Sequence, residues 1–156
     1  MINATQLREL IIKPALIDLV MYSEAAEELL MFTCAAESDG GHYLKQIKGP
    51  ALGIYQMEPE TYNDLWQNYI KERNSVSLIL LSNFDASRMP SEDRLIYDLR
   101  FATAMARLHY ARFPEKLPLK NDVIGLWEYY KKYFNTASGK AQHDLAIAKY
   151  VKFTSS

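Results

Sequence analysis

The run from Ser91 to about Phe113 sets the first limit on what this chain can become. Leu95, Leu99, Ala102, Ala106 and His109 recur on one side at helical spacing, and Ile96, Phe101, Thr103, Met105 and Leu108 fill much of the rest. A helix apolar over most of its circumference has to be surrounded, so this run predicts a central buried helix. Pro114 and Pro118 close it, because a residue before proline is pushed out of the helical region. The chain must therefore supply other helices to pack around it.

It does so at intervals. Leu7 to Leu19 is apolar at helical spacing and interrupted by Pro14, which predicts two short helices. Ser23 is placed to cap the next helix, with Glu24, Glu27 and Glu28 near its positive end. Ala25, Leu29, Phe32, Thr33 and Ala36 form its buried stripe, and Asp39-Gly40-Gly41 stops it, so Glu37 falls in or beside the last turn. His42 to Ile47 and Ala51 to Met57 have β character around Lys48-Gly49-Pro50, as a small irregular hairpin or two extended segments. Pro59 opens a helix to about Arg73, with Tyr62, Leu65, Trp66, Tyr69 and Ile70 on its apolar face. Val76 to Leu81 is a shorter apolar segment, and Asp85 to Pro90 a loop. Asp122 caps a helix carrying Leu126, Trp127, Tyr130 and Tyr133; Asn135 to Gly139 is a loop; Ala141 to about Phe153 is the last helix. The expected fold is mainly α, a single helical domain over residues 1–156 with one small irregular β segment after the Glu37 helix.

Composition narrows the function classes. With 49% hydrophobic and 24% charged residues, the balance is that of a globular chain,. A net charge of −1 gives no field that would draw nucleic acid or a membrane,. Beyond Phe113 seven lysines face Glu115, Asp122, Glu128 and Asp144, a local +3 that reads as a solvated helix face,. Cys34 is the one cysteine, so packing must hold the fold,. His42, His109 and His143 have no metal-ligand spacing, and no metal or cofactor is expected. Met1-Ile2-Asn3-Ala4 lacks the start of a signal peptide. No apolar run reaches the roughly 20 residues that span a bilayer. The expectation is a chain soluble as made; if it acts outside the cytoplasm, something else carries it there.

Glu37 is the residue on which chemistry is expected. A helix C-terminus carries partial negative charge and disfavours a second one beside it. Burial by Phe32 and the following segment acts in the same direction, raising the carboxyl's pKa. A carboxylic acid that keeps its proton near neutrality is what protonating a glycosidic oxygen requires.

Glu37-Ser38, followed by Gly53-Ile54-Tyr55-Gln56-Met57-Glu58-Pro59-Glu60-Thr61, resembles the first two motifs of soluble lytic transglycosylases and goose-type lysozymes. Those are a Glu-Ser at a helix end, then a Gly-Leu-Met-Gln stretch followed by a Pro and a Thr; Gly53, Gln56, Pro59 and Thr61 fall at the matching offsets. A third motif, an aromatic-Asn before a Gly-containing loop, looks like Phe134-Asn135-Thr136-Ala137-Ser138-Gly139. The whole arrangement, including the Pro14-Ala15-Leu16 entry and the Ala102 to Tyr110 helix, is most similar to small phage-encoded lysozyme-like proteins.

The resemblance implies an α+β lysozyme-like fold and cleavage of the bond between N-acetylmuramic acid and N-acetylglucosamine. Glu37 would be the single acid/base of a lytic transglycosylase, or the acid of a muramidase with a second carboxylate among Asp39, Glu58 and Asp64. Ser38, Gly53, Tyr55, Gln56 and Asn135 would bind substrate. Peptidoglycan strands would be the partner, with other virion or tail proteins, and with no nucleic acid or membrane. Virion or host cytoplasm would be its location, and the host cell wall its place of action. The alternative is a structural or glycan-binding tail protein that keeps the fold without turnover. This chain departs from the pattern at Pro50, at Tyr55 in place of Met, and at Phe134 in place of a Tyr whose hydroxyl orients the acid or the substrate. Tyr133, Tyr43 or Tyr55 is expected to replace that hydroxyl.

Residue by residue, plainer roles stand beside these. Gln56 is either a ligand contact or a side chain bridging the β segment to the next helix. Asn135 either faces substrate or caps its loop. Trp66, Trp127 and the helically spaced tyrosines fit a core better than a sugar platform. Cys34 fits a buried small hydrophobe, and His109 a satisfied core residue.

Overall fold

The computed structural model describes residues 1–135 and 139–155 and is mainly helical. Its middle is α3, Glu24–Ser38, which packs against α9 (His143–Ser155), α8 (Val123–Tyr130) and α7 (Leu99–Ala111). Ser23 caps α3 as its sequence position predicts, its side chain accepting from the Ala26 N–H at 3.0 Å,. Asp39 ends the helix in the left-handed region, at φ 53°.

Every residue from Ala26 to Ala35 is buried, so α3 is enclosed all round rather than along one stripe. That includes Glu27 and Glu28, which do more than face a helix dipole. Arg8 reaches both, at 3.0 and 2.6 Å, and the Tyr150 hydroxyl donates to Glu28 at 2.5 Å. Buried carboxylates are stable only when paired and hydrogen-bonded, and this cluster ties the first and last helical segments to α3.

Two local expectations are corrected. The helical path does not break at Pro14: α1 (Ala4–Leu7), a π-helical turn (Arg8–Ile12) and α2 (Lys13–Asp18) follow without interruption. The wide turn, in which the Lys13 N–H donates to the Arg8 carbonyl, gives the proline ring room that an α-turn lacks,. The long run from Ser91 is two helices, α6 (Arg94–Tyr97) and α7, parted by Asp98 in an extended conformation. Asp98 accepts the Phe101 N–H at 2.9 Å as the cap of α7 and pairs with Arg94 at 3.0 Å, so capping outweighs helix continuation there,. After α3 the expected irregular β segment forms no regular strand among the described residues. Two isolated antiparallel bridges, Lys45 to Leu52 and Leu52 to Met57, mark where the chain folds back. His42 to Lys48 are exposed, whereas Ala51 to Tyr55 are buried.

The segment from Pro59 runs as α4 (Pro59–Leu65) and a π-helical turn (Trp66–Ile70), and the run around Val76 to Leu81 lies within α5 (Asn74–Phe84). A third π-helical stretch, Lys131–Asn135, continues α8. One hydrophobic cluster joins these elements from Ala4 to Phe153. No helix of the described residues is long and apolar enough to cross a membrane.

Candidate functional site

The end of α3, the turn before α4 and the end of α8 surround a cleft of about 550 Å³. Its lining includes Glu37, Gln56, Glu58, Tyr130, Phe134 and Asn135. Glu37 is only partly exposed there. Its carboxyl accepts a hydrogen bond from the Tyr130 hydroxyl at 2.8 Å, and the Asn135 side chain in the same cleft lining favours its charged form.

Burial pushes Glu37 up from an ordinary value of 4.5 to about 7, against the opposing pull of the Tyr130 and Asn135 hydrogen bonds and of Lys149. Exposed Glu58, at the cleft wall, adds a small upward push. Loss of solvent wins over two donated hydrogen bonds and a nearby cation, so the carboxyl holds its proton near neutral pH. The direction is the one the sequence suggests, and of the two causes it offers, burial is the dominant one.

Tyr130 is the residue sequence reasoning missed. It is fully buried, 5.6 Å from the Phe32 ring and 6.3 Å from Phe134. Burial and the facing carboxyl raise its pKa far above the usual phenol range, so it remains a donor. None of the three expected substitutes serves: Tyr133 stacks on Phe113 at 4.4 Å, Tyr55 is in the core and Tyr43 lies outside the cleft lining. A signal was present. Tyr130 precedes Phe134 by four residues, so a helical reading carried through the motif puts both on one face,. Replacing Tyr130 by Phe is expected to move the Glu37 midpoint further upward, because the lost hydrogen bond favours the ionised form,. Carboxyl-carbon NMR titration of the variant checks it.

Of the residues expected to bind substrate, the cleft gathers Gln56 and Asn135. Gln56 adopts φ 48° and turns its own Nε2 onto the Gly53 carbonyl at 2.9 Å. Asn135 closes the last turn after α8. The Thr136-Ala137-Ser138 portion of the third motif lies outside the described residues.

Ser38, Gly53 and Tyr55 are not in the cleft, which corrects the substrate-binding roles expected for them. Ser38 is fully buried; its hydroxyl donates to the Ile54 carbonyl at 2.6 Å and accepts the Gly41 N–H at 2.9 Å, pinning the α3 end to the 51–57 segment. Tyr55 is 1% exposed, with its hydroxyl 2.9 Å from Thr103 Oγ1 on α7. Gly53 has φ 78°, and a Cβ there would fall 2.2 Å from the Leu95 carbonyl oxygen. It is glycine because a backbone presses on it, not because a glycan does. Gly53→Ala is accordingly expected to destabilise the fold by roughly 2 kcal/mol, read as a lower urea midpoint.

The remaining candidates have structural partners. Asp39 pairs with Lys149 at 2.9 Å and Asp64 with Arg112 at 2.5 Å, and neither lines the cleft. His109, at the cleft's inner edge, is hydrogen-bonded at both nitrogens, by Nε2 to the Tyr133 carbonyl (2.8 Å) and by Nδ1 from Arg112 (2.7 Å). Burial lowers its pKa to about 4. It is a neutral, satisfied core residue. Cys34 is buried, its thiol pushed up to about 12. Trp66 packs on Tyr62, and Trp127 contacts Tyr130 and His143. No group of three His, Cys, Asp or Glu side chains that could hold a metal ion occurs among the described residues. No family model, curated protein or solved structure matches this chain.

Proposed function

We propose that this protein is a peptidoglycan-cleaving glycosidase of lysozyme-like α+β fold, acting between N-acetylmuramic acid and N-acetylglucosamine with Glu37 as acid and base. The observation that carries the reading is a single carboxyl with its pKa near 7, held by Tyr130 at the wall of an open cleft. Glu37 would protonate the bridging oxygen as the bond from the muramic anomeric carbon breaks. The resulting carboxylate would then take the proton of the muramic 6-hydroxyl, whose oxygen closes on the same carbon as a 1,6-anhydro ring. No water is consumed, and Glu37 ends protonated as it began.

That cycle uses one acid, and the supporting feature is that Glu58, the other carboxylate lining the cleft, is solvent-exposed. In a hydrolytic cycle Glu58 would activate water instead. The resemblance of the Glu37-Ser38 and Gly53 to Thr61 segments supports a phage-encoded protein that opens the wall at entry or lysis, among other virion or tail proteins.

Digestion of purified peptidoglycan, with mass spectrometry of the products, tests the proposal. Products lighter by one water than reducing-end muropeptides are expected from the wild type and not from Glu37→Gln. If wild type releases nothing beyond the mutant, the glycan-binding, non-catalytic reading takes its place.

A further inference from the structure

The third motif holds more than its Asn. Lys131, one helical turn before Asn135, donates to Asn135 Oδ1 at 2.7 Å and to the Gly139 carbonyl at 3.1 Å. The Ala141 N–H donates to the same Oδ1 at 3.3 Å. An ammonium and a backbone N–H can only donate, so both must meet the amide oxygen and not its NH2 group. The amide is thereby held in one orientation, with its NH2 group left for the cleft wall that Asn135 shares with Glu37 and Tyr130, where it favours the charged form of the Glu37 carboxyl. Gly139 leaves no slack in this arrangement: a Cβ there would lie 2.2 Å from both Oδ1 and the carbonyl oxygen of Asn135.

We propose that Lys131 is a positioning residue, which by clamping the Asn135 oxygen and the Gly139 carbonyl aims the Asn135 amide at the Glu37 carboxyl. The catalytic meaning of this rests on the reading of Glu37 as the acid; the clamp itself does not. Without Lys131, Asn135 is free to turn its oxygen toward the carboxyl or away into the cleft, and Glu37 loses a donor that favours its charged form. The Glu37 midpoint then moves upward, and the acid loses its fixed direction.

A double-mutant cycle read by carboxyl-carbon NMR titration of Glu37 tests it in the full chain without substrate, so its outcome is separate from whether the protein cleaves peptidoglycan. Lys131→Met keeps the apolar stem and removes the donor; Lys131→Leu carries the same cycle should Lys131→Met not fold. Lys131→Met and Asn135→Ala are each expected to raise the Glu37 midpoint, and Lys131→Met to add nothing further in the Asn135→Ala background. A lysine acting only through its charge would shift Glu37 equally in both backgrounds. That result, or an unmoved midpoint in Lys131→Met alone, overturns the proposal.

Discussion

Glu37→Gln is expected to slow muropeptide release by roughly 10²–10⁴-fold, the range a positioned general acid contributes. Glutamine matches the shape of the carboxyl and still accepts the Tyr130 hydroxyl, so the cleft keeps its form. What it lacks is a proton to give to the glycosidic oxygen. The loss should therefore fall on kcat, with KM little changed, since the side chain is asked to act chiefly in the transition state. Glu58, exposed on the cleft wall, does not share the enclosed setting and the Tyr130 contact that position Glu37.

The same substitution should make the protein more stable at alkaline pH, by up to about 3 kcal/mol. Folded Glu37 keeps its proton up to about pH 7, while in the unfolded chain it ionises near 4.5. Between those values the native state binds more protons than the unfolded state, so wild-type stability falls as pH rises. Below the window both states are protonated and the effect is absent; above it the full penalty of a buried carboxylate applies. Glutamine carries no such penalty. Urea unfolding of both proteins near pH 4 and near pH 8 should show the mutant's advantage only at the higher pH. A gain in stability paired with a loss of turnover is what a residue kept for its chemistry produces.

The helices were largely legible from apolar spacing and caps, as at Ser23 and Asp122, because those signals are local. Where a local signal competed with a partner out of sequence view, it failed. Pro14 was accommodated by a π-turn and Asp98 was claimed by capping, and neither outcome is written in hydrophobic spacing. The position of Glu37 could be argued from the helix that carries it, and its raised pKa from the apolar residues around that helix end. Its partner could not be argued from identity alone, because Tyr130 is one of several tyrosines around the third motif. Ser38, Gly53 and Tyr55 show a related limit. Each sits at a motif position, yet each is explained by a contact with Ile54, Leu95 or Thr103 that only the tertiary fold brings near. The motif in this chain therefore builds the end of α3 and its supporting segment first, and presents Glu37 and Gln56 from that support.

The pH dependence of kcat/KM for muropeptide release is the most direct test of Glu37 as a protonated acid. The expected result is activity that holds at mildly acidic pH and declines about tenfold per pH unit above about 7, with its midpoint matching the Glu37 titration,. Release that stays level or increases through that range would contradict the assignment.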